Sequence, residues 1–203
     1  MKKLLIFIFV FTLIQPFAYA KTTPKERFTA ETPREMTLSE YATLYYGENN
    51  SEEALSTILK IKEDERTPQD WLLLGNILQD RGKIADAVFM YNKAISKDKK
   101  YYKAYYNLAN IYLNENKFYL AISNYKLATR YKNDFSYAYY NMGCTYMELG
   151  ELKKAKLAFL KAIENKNTIP QYHYNLAYVY KKLGKEKLSK QYLENYNRLI
   201  LGY

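Results

Sequence analysis

Residues 102–112 read YKAYYNLANIY, and the phrase Tyr106-Asn107-Leu108 inside it returns as Tyr140-Asn141-Met142 and again as Tyr174-Asn175-Leu176. Each return comes 34 residues after the last. Gly82, Asn116, Gly150 and Gly184 interrupt the chain at the same step, with Asn49 as a further break upstream. Between the breaks apolar residues recur every three or four positions and no segment alternates with period two. This spacing predicts helices throughout from residue 35.

Blocks 68–101, 102–135, 136–169 and 170–203 bring equivalent residues into register. Position 4 holds Trp71, Tyr105, Tyr139 and His173, position 8 holds Gly75, Ala109, Gly143 and Ala177, and position 11 holds Leu78, Tyr112, Tyr146 and Tyr180. After the break, position 20 holds Ala87, Ala121, Ala155 and Ser189, and position 24 holds Tyr91, Tyr125, Phe159 and Leu193. Residues three, four and seven apart share one helix face. Rings at positions 4, 11 and 24 therefore fall opposite small residues at 8, 20 and 27, which lets two antiparallel helices approach closely. Each pair has more apolar surface than it buries alone, so the pairs must stack into a solenoid.

The order Trp/Tyr-x2-Leu-Gly/Ala-x2-Tyr, then Ala-x3-Phe/Tyr-x2-Ala, at this period resembles the tetratricopeptide repeat. The resemblance covers 68–203 and implies an all-α, right-handed solenoid of stacked antiparallel helix pairs, with four clear repeats. A degenerate fifth, 35–67, fits loosely: Leu38, Tyr41, Ala42 and Tyr45 take positions 4, 7, 8 and 11, and Ala54, Ile58 and Ile61 take 20, 24 and 27. The family's proline near position 32 is replaced by Lys99, Asn133 and Asn167, which predicts weaker punctuation at the helix ends. In the last block Glu186, Ser189 and Lys190 put polar residues at normally apolar sites, as expected of a terminal repeat. Leu199, Ile200 and Leu201 then either fold back as a cap or form an exposed self-association patch.

The first twenty residues read differently. Lys2 and Lys3 precede the apolar run Leu4 to Ile14, then Gln15-Pro16, then Ala18-Tyr19-Ala20. This is the layout of a secretory signal, and the run is shorter than the ~20 residues of a spanning helix. Cleavage after Ala20, a flexible leader over 21–34 and a periplasmic or secreted location are the expectations, with an uncleaved anchor as the alternative. Cys144 is the only cysteine, so no intrachain disulfide forms and packing alone must hold the fold. The formal charge is +10, unevenly spread: 34–67 carries eight acidic against four basic residues, whereas 68–203 carries eleven against twenty-two. Export argues against a nucleic-acid partner. The basic surplus is either an ordinary solvated surface or a face for an anionic envelope or cell-wall partner.

No enzyme is expected, and no cofactor or metal. His173 takes the place of the ring at position 4 and reads as a core residue. Cys144 has no other histidine to activate it, no metal-ligand spacing occurs, and no Gly-rich phosphate loop is present.

A binding surface is the remaining function. On the first helix of each block, positions 2, 5, 6 and 9 point away from the partner helix. In tetratricopeptide proteins this wall is the concave groove that binds partners. Position 2 supplies Lys103, Tyr137 and Gln171, and position 5 supplies Tyr106, Tyr140 and Tyr174. Position 6 supplies Asn107, Asn141 and Asn175, and position 9 supplies Asn110 and Tyr178. Tyrosine gives contact area at low entropy cost, and asparagine both donates to and accepts from a peptide backbone. A scaffold that binds a peptide or partner protein in this groove is the leading expectation; a glycan- or cell-wall-binding module is the alternative. Lys103, Asn107 and Asn141 also match part of the carboxylate clamp of chaperone-binding members. Gln171 and Asn175 replace the rest of it, so no chaperone partner is expected.

Overall fold

The computed structural model describes residues 34–202, which hold ten helices and no strand. They are α1 (Leu38–Gly47), α2 (Ser51–Ile58), α3 (Pro68–Asp80), α4 (Ile84–Lys97), α5 (Tyr102–Asn114), α6 (Phe118–Tyr131), α7 (Ser136–Glu148), α8 (Leu152–Asn165), α9 (Pro170–Lys182) and α10 (Glu186–Leu201). The signal sequence and nearly all of the leader expected from the sequence lie outside the described residues. No described helix is long and apolar enough to cross a membrane. The chain divides into two compact units, one ending at Ile61 and one beginning at Lys62.

In the second unit the helix starts reproduce the sequence period. Each first helix (α3, α5, α7, α9) occupies positions 1–13 of its block, and each second helix starts at position 17. The turn between them is closed the same way four times. Gly82, Asn116, Gly150 and Gly184 take φ of 72°, 57°, 70° and 70°, a left-handed conformation open to glycine and tolerated by asparagine. The amides that follow, of Lys83, Lys117, Glu151 and Lys185, reach back to the carbonyls of Leu78, Tyr112, Tyr146 and Tyr180, as in a Schellman closure. The missing proline costs no punctuation: α4, α6 and α8 all stop at position 30, and the next residues, Asp98, Lys132 and Lys166, swing to φ −137°, −138° and −156°.

The helices of each pair pack against each other, and α4 packs on α5, α6 on α7 and α8 on α9. The interior is built where position 8 meets position 24. Tyr91, Tyr125 and Phe159 are wholly buried. Gly75 faces the Tyr91 ring, and a Cβ on Gly143 would lie 2.7 Å from Phe159 Cε1. Thr67 starts the stack with a capping box: its Oγ1 accepts from the Asp70 amide at 3.2 Å, while its own amide donates to Asp70 Oδ2 at 2.8 Å. Asp70 is buried in this role. At the far end Leu199, Ile200 and Leu201 do not fold back. They continue α10, with Ile200 and Leu201 more than half exposed.

The first unit, considered alone, is a shorter helical hairpin. Thr37 and Glu40 form its capping box, Asn49 provides the left-handed break at φ 60°, and Ala42, Ala54 and Ile58 are fully buried. In the register of the other blocks α1 starts at position 4 rather than 1, and α2 ends at position 24, so Ile61 falls outside the helix. Leu38 and Tyr41 are exposed.

Candidate protein-binding wall

The repeated tyrosines and asparagines do come together, but largely with one another. Asn107 Nδ2 donates to Asn76 Oδ1 across the first repeat boundary at 2.8 Å. One repeat on, Asn141 Nδ2 donates to Asn110 Oδ1 at 2.9 Å and lies 3.1 Å from the Tyr106 hydroxyl oxygen. The buried tyrosine at position 24 completes each of these two nodes. Tyr125 donates its hydroxyl hydrogen to Asn110 Oδ1 at 2.6 Å, and the Tyr91 hydroxyl lies 2.9 Å from both Asn76 Oδ1 and Gln79 Oε1. At the third boundary Asn175 Nδ2 donates to the Tyr140 hydroxyl at 2.9 Å and approaches Cys144 Sγ at 3.7 Å. The result is a polar spine that joins each repeat to the next.

Two of the position-5 rings, Tyr106 and Tyr140, are covered as well. Phe135 meets Tyr106 edge-on at 4.9 Å, and Tyr172 stacks on Tyr140 at 4.7 Å. Burial raises the hydroxyl pKa of Tyr106, Tyr125 and Tyr140 above that of free tyrosine, so all three stay protonated. At the start of the stack Leu72 and Leu73 hold positions 5 and 6 and are buried rather than presented. Position 3, which the sequence reading left out, is buried in all four repeats as Asp70, Ala104, Ala138 and Tyr172. The small Ala104 and Ala138 were the available signal.

The outward-facing remainder is smaller and different in character. Lys103 and Gln171 are exposed, and Tyr137 is half-buried with Lys166 Nζ 5.4 Å from its ring centroid, a cation–π contact. Lys166 lies in the loop before α9 and was missed by the sequence reading, because loop residues fall outside the helical register. Tyr174 is 49% exposed, and Lys182 sits 5.5 Å over the ring of Tyr178.

Nothing in this arrangement prepares a nucleophile. Burial pushes the Cys144 thiol up to about 12, so it is protonated at neutral pH. His173 is buried as its register position implies, donates from Nε2 to the Asn167 carbonyl at 2.8 Å, and packs beside Tyr192. Among the described residues no group of histidine, cysteine and carboxylate side chains could hold a metal.

A family model described as tetratricopeptide repeat matches residues 102–135, 136–168 and 170–199, and one described as TPR repeat matches 75–116. Among solved structures, "Crystal structure of MamA" is similar at 22% identity with a TM-score of 0.71, over 83% of this chain and 98% of that one. "MamA 41-end from Desulfovibrio magneticus RS-1" is similar at 19% identity with a TM-score of 0.69, over 81% and 94%. At these identities the likeness is one of fold. No curated protein matches the sequence.

Proposed function

The chain belongs to the tetratricopeptide repeat family, a family of protein-interaction scaffolds, and from that premise we propose a non-enzymatic, exported adaptor that binds an extended, anionic peptide segment. The contacts would be made by Lys103, Tyr137, Lys166 and Gln171. Export rests on the basic start, short apolar run and Ala18-Tyr19-Ala20 of the first twenty residues, and it makes the partner an envelope or secreted protein.

One observation carries the choice of ligand. The asparagines at position 6 are engaged inside the spine, two of them with Tyr106 and Tyr140, so these residues are not the free backbone-binding ladder that the sequence suggests. What the wall leaves to a partner is cationic and phenolic. Lysine offers donors only, and a flat tyrosine face adds apolar area beside it. Carboxylate-bearing peptides complement both.

The test is a crosslinking pulldown from the native envelope, comparing the mature protein with a Lys103→Glu/Tyr137→Ala variant. Neither side chain hydrogen-bonds within the spine, although Tyr137 packs edge-on against Phe135 and Tyr172, so circular dichroism should show the helices retained. A specific partner should be lost, and capture of the remaining wild-type partner should fall with salt. An unchanged capture profile would sink the proposal. Sedimentation of the chain with purified wall material instead would favour a glycan-binding module, since tyrosine faces also stack on sugars.

A further inference from the structure

At the boundaries of α5/α6 with α7 and of α7/α8 with α9, the segment that follows covers the preceding repeat in a similar way. Its asparagine amide sits on a hydroxyl or amide oxygen of the spine, an aromatic ring closes over the position-5 tyrosine, and the position-24 side chain is driven to zero exposure. On the last repeat no described residue covers the receiving half of this joint. Tyr174 at position 5 is 49% exposed and meets only the Tyr196 ring of its own pair, at 5.3 Å. Its hydroxyl has no partner among the described residues. Leu193, equivalent to the wholly buried Tyr91, Tyr125 and Phe159, is 37% exposed.

The charge on α9 and α10 is predominantly positive, with Glu186 and Glu194 the exposed carboxylates among the lysines. Lys181, Lys182, Lys185, Lys187 and Lys190 are all exposed, and among the described residues none is paired with a carboxylate. We propose that the open end formed by Tyr174, Tyr178 and α10 is a docking surface for a single helix of an acidic partner protein, seated as a fifth first-helix would be and donating a side-chain amide to Tyr174. A second copy of the chain does not meet this requirement. Its own leading helices carry Leu73 in α3 and Glu40 in α1 at the position where an asparagine is needed. The surface is independent of Lys103 and Tyr137, so the two sites fail separately.

The probe is a helix-stapled peptide of residues 135–148, which contains Asn141 and Phe135, the pair that covers Tyr106, with glutamates added at its solvent-facing positions. Titrated into the folded chain, it should shift the NMR signals of Tyr174, Tyr178 and Leu193 saturably. Binding should weaken with salt, and about tenfold with either Tyr174→Phe in the chain or Asn141→Leu in the peptide, equivalent to about 1.4 kcal/mol. Tyr174→Phe removes only an unpartnered hydroxyl, so folding is untouched, and Lys103→Glu should leave this binding unchanged. Absence of saturable shifts at Tyr174, shifts confined to the α5–α7 boundary through exchange of the native helix, or dimerisation of the chain through α10 in sedimentation would each overturn the proposal.

Discussion

In α5/α6, Tyr125 gives its hydroxyl hydrogen to Asn110; in α7/α8 the same two positions hold Phe159 and Cys144. The ring is wholly buried in both repeats. Where the hydroxyl is lost, the amide that received it is lost too, and a weakly polar thiol fills its place. The pair changes as a unit because a buried amide oxygen or hydroxyl left without its partner costs more than a made hydrogen bond contributes. The following asparagine adjusts accordingly: Asn141 donates to Asn110 at 2.9 Å, whereas Asn175 relies on the Tyr140 hydroxyl and has only a long contact to sulfur. The α5/α6 boundary is thus tied by polar groups, and the α7/α8 boundary more by ring packing.

The comparison breaks hardest at position 8, where α5 has Ala109 and α7 has Gly143. A Cβ on Gly143 would press on three atoms of the Phe159 ring at 2.7–3.0 Å. Gly143→Leu should therefore overpack the third repeat and lower stability by roughly 1–3 kcal/mol or more. Thermal melting would show it, with loss spreading into neighbouring pairs through nearest-neighbour coupling; an unchanged melting temperature would refute the close approach.

Next in size is Asn110→Leu, which leaves the Tyr125 hydroxyl buried without its acceptor and deprives Asn141 of one of two partners. Urea unfolding should register about 1–3 kcal/mol, and a value near zero would mean that water serves the site equally well. The sharper version copies the third repeat into the second. Tyr125→Phe with Asn110→Cys should cost about 1 kcal/mol less than the two single changes summed, and strict additivity in the double-mutant cycle would show that the pair is not a unit.

The smallest effect concerns alkaline pH. The Cys144 thiol has an ordinary value of 9.0 and is raised by burial to about 12 in the fold, because burial penalises its charged form. Its contribution to stability is fully present below pH 9 and is lost as pH rises through 12. Cys144→Ala should shift the onset of alkaline destabilisation upward, towards pH 10 where the buried tyrosines take over. Urea midpoints at stepped pH would reveal it; identical profiles for the two proteins would remove the thiol from the account.

Legibility differed between residues that act along the chain and those that act across it. Gly82, Asn116, Gly150 and Gly184 were readable as breaks because a left-handed closure restricts the residue types that fit. Gly143 against Phe159 was readable because bulk and gap recur in fixed register. Asn107, Asn141 and Asn175 share one register position, but their engagement was not readable, since asparagine is as ordinary on a solvated face as in a buried network. Their partners lie 31 and 35 residues away, and only the stacked geometry determines which atoms meet.

What the sequence determined by itself was therefore the period, the breaks between helices at Gly82, Asn116, Gly150 and Gly184, and the complementary pairing of large and small residues. These follow from local backbone preference and side-chain volume, both of which repeat along one dimension. The tertiary structure decided which polar side chains were spent holding repeats together and which remained outward, and that the last repeat ends with Tyr174 and Leu193 uncovered. Hydrogen-bond satisfaction and burial depend on neighbours brought together in space, and those neighbours exist only once the helices have stacked.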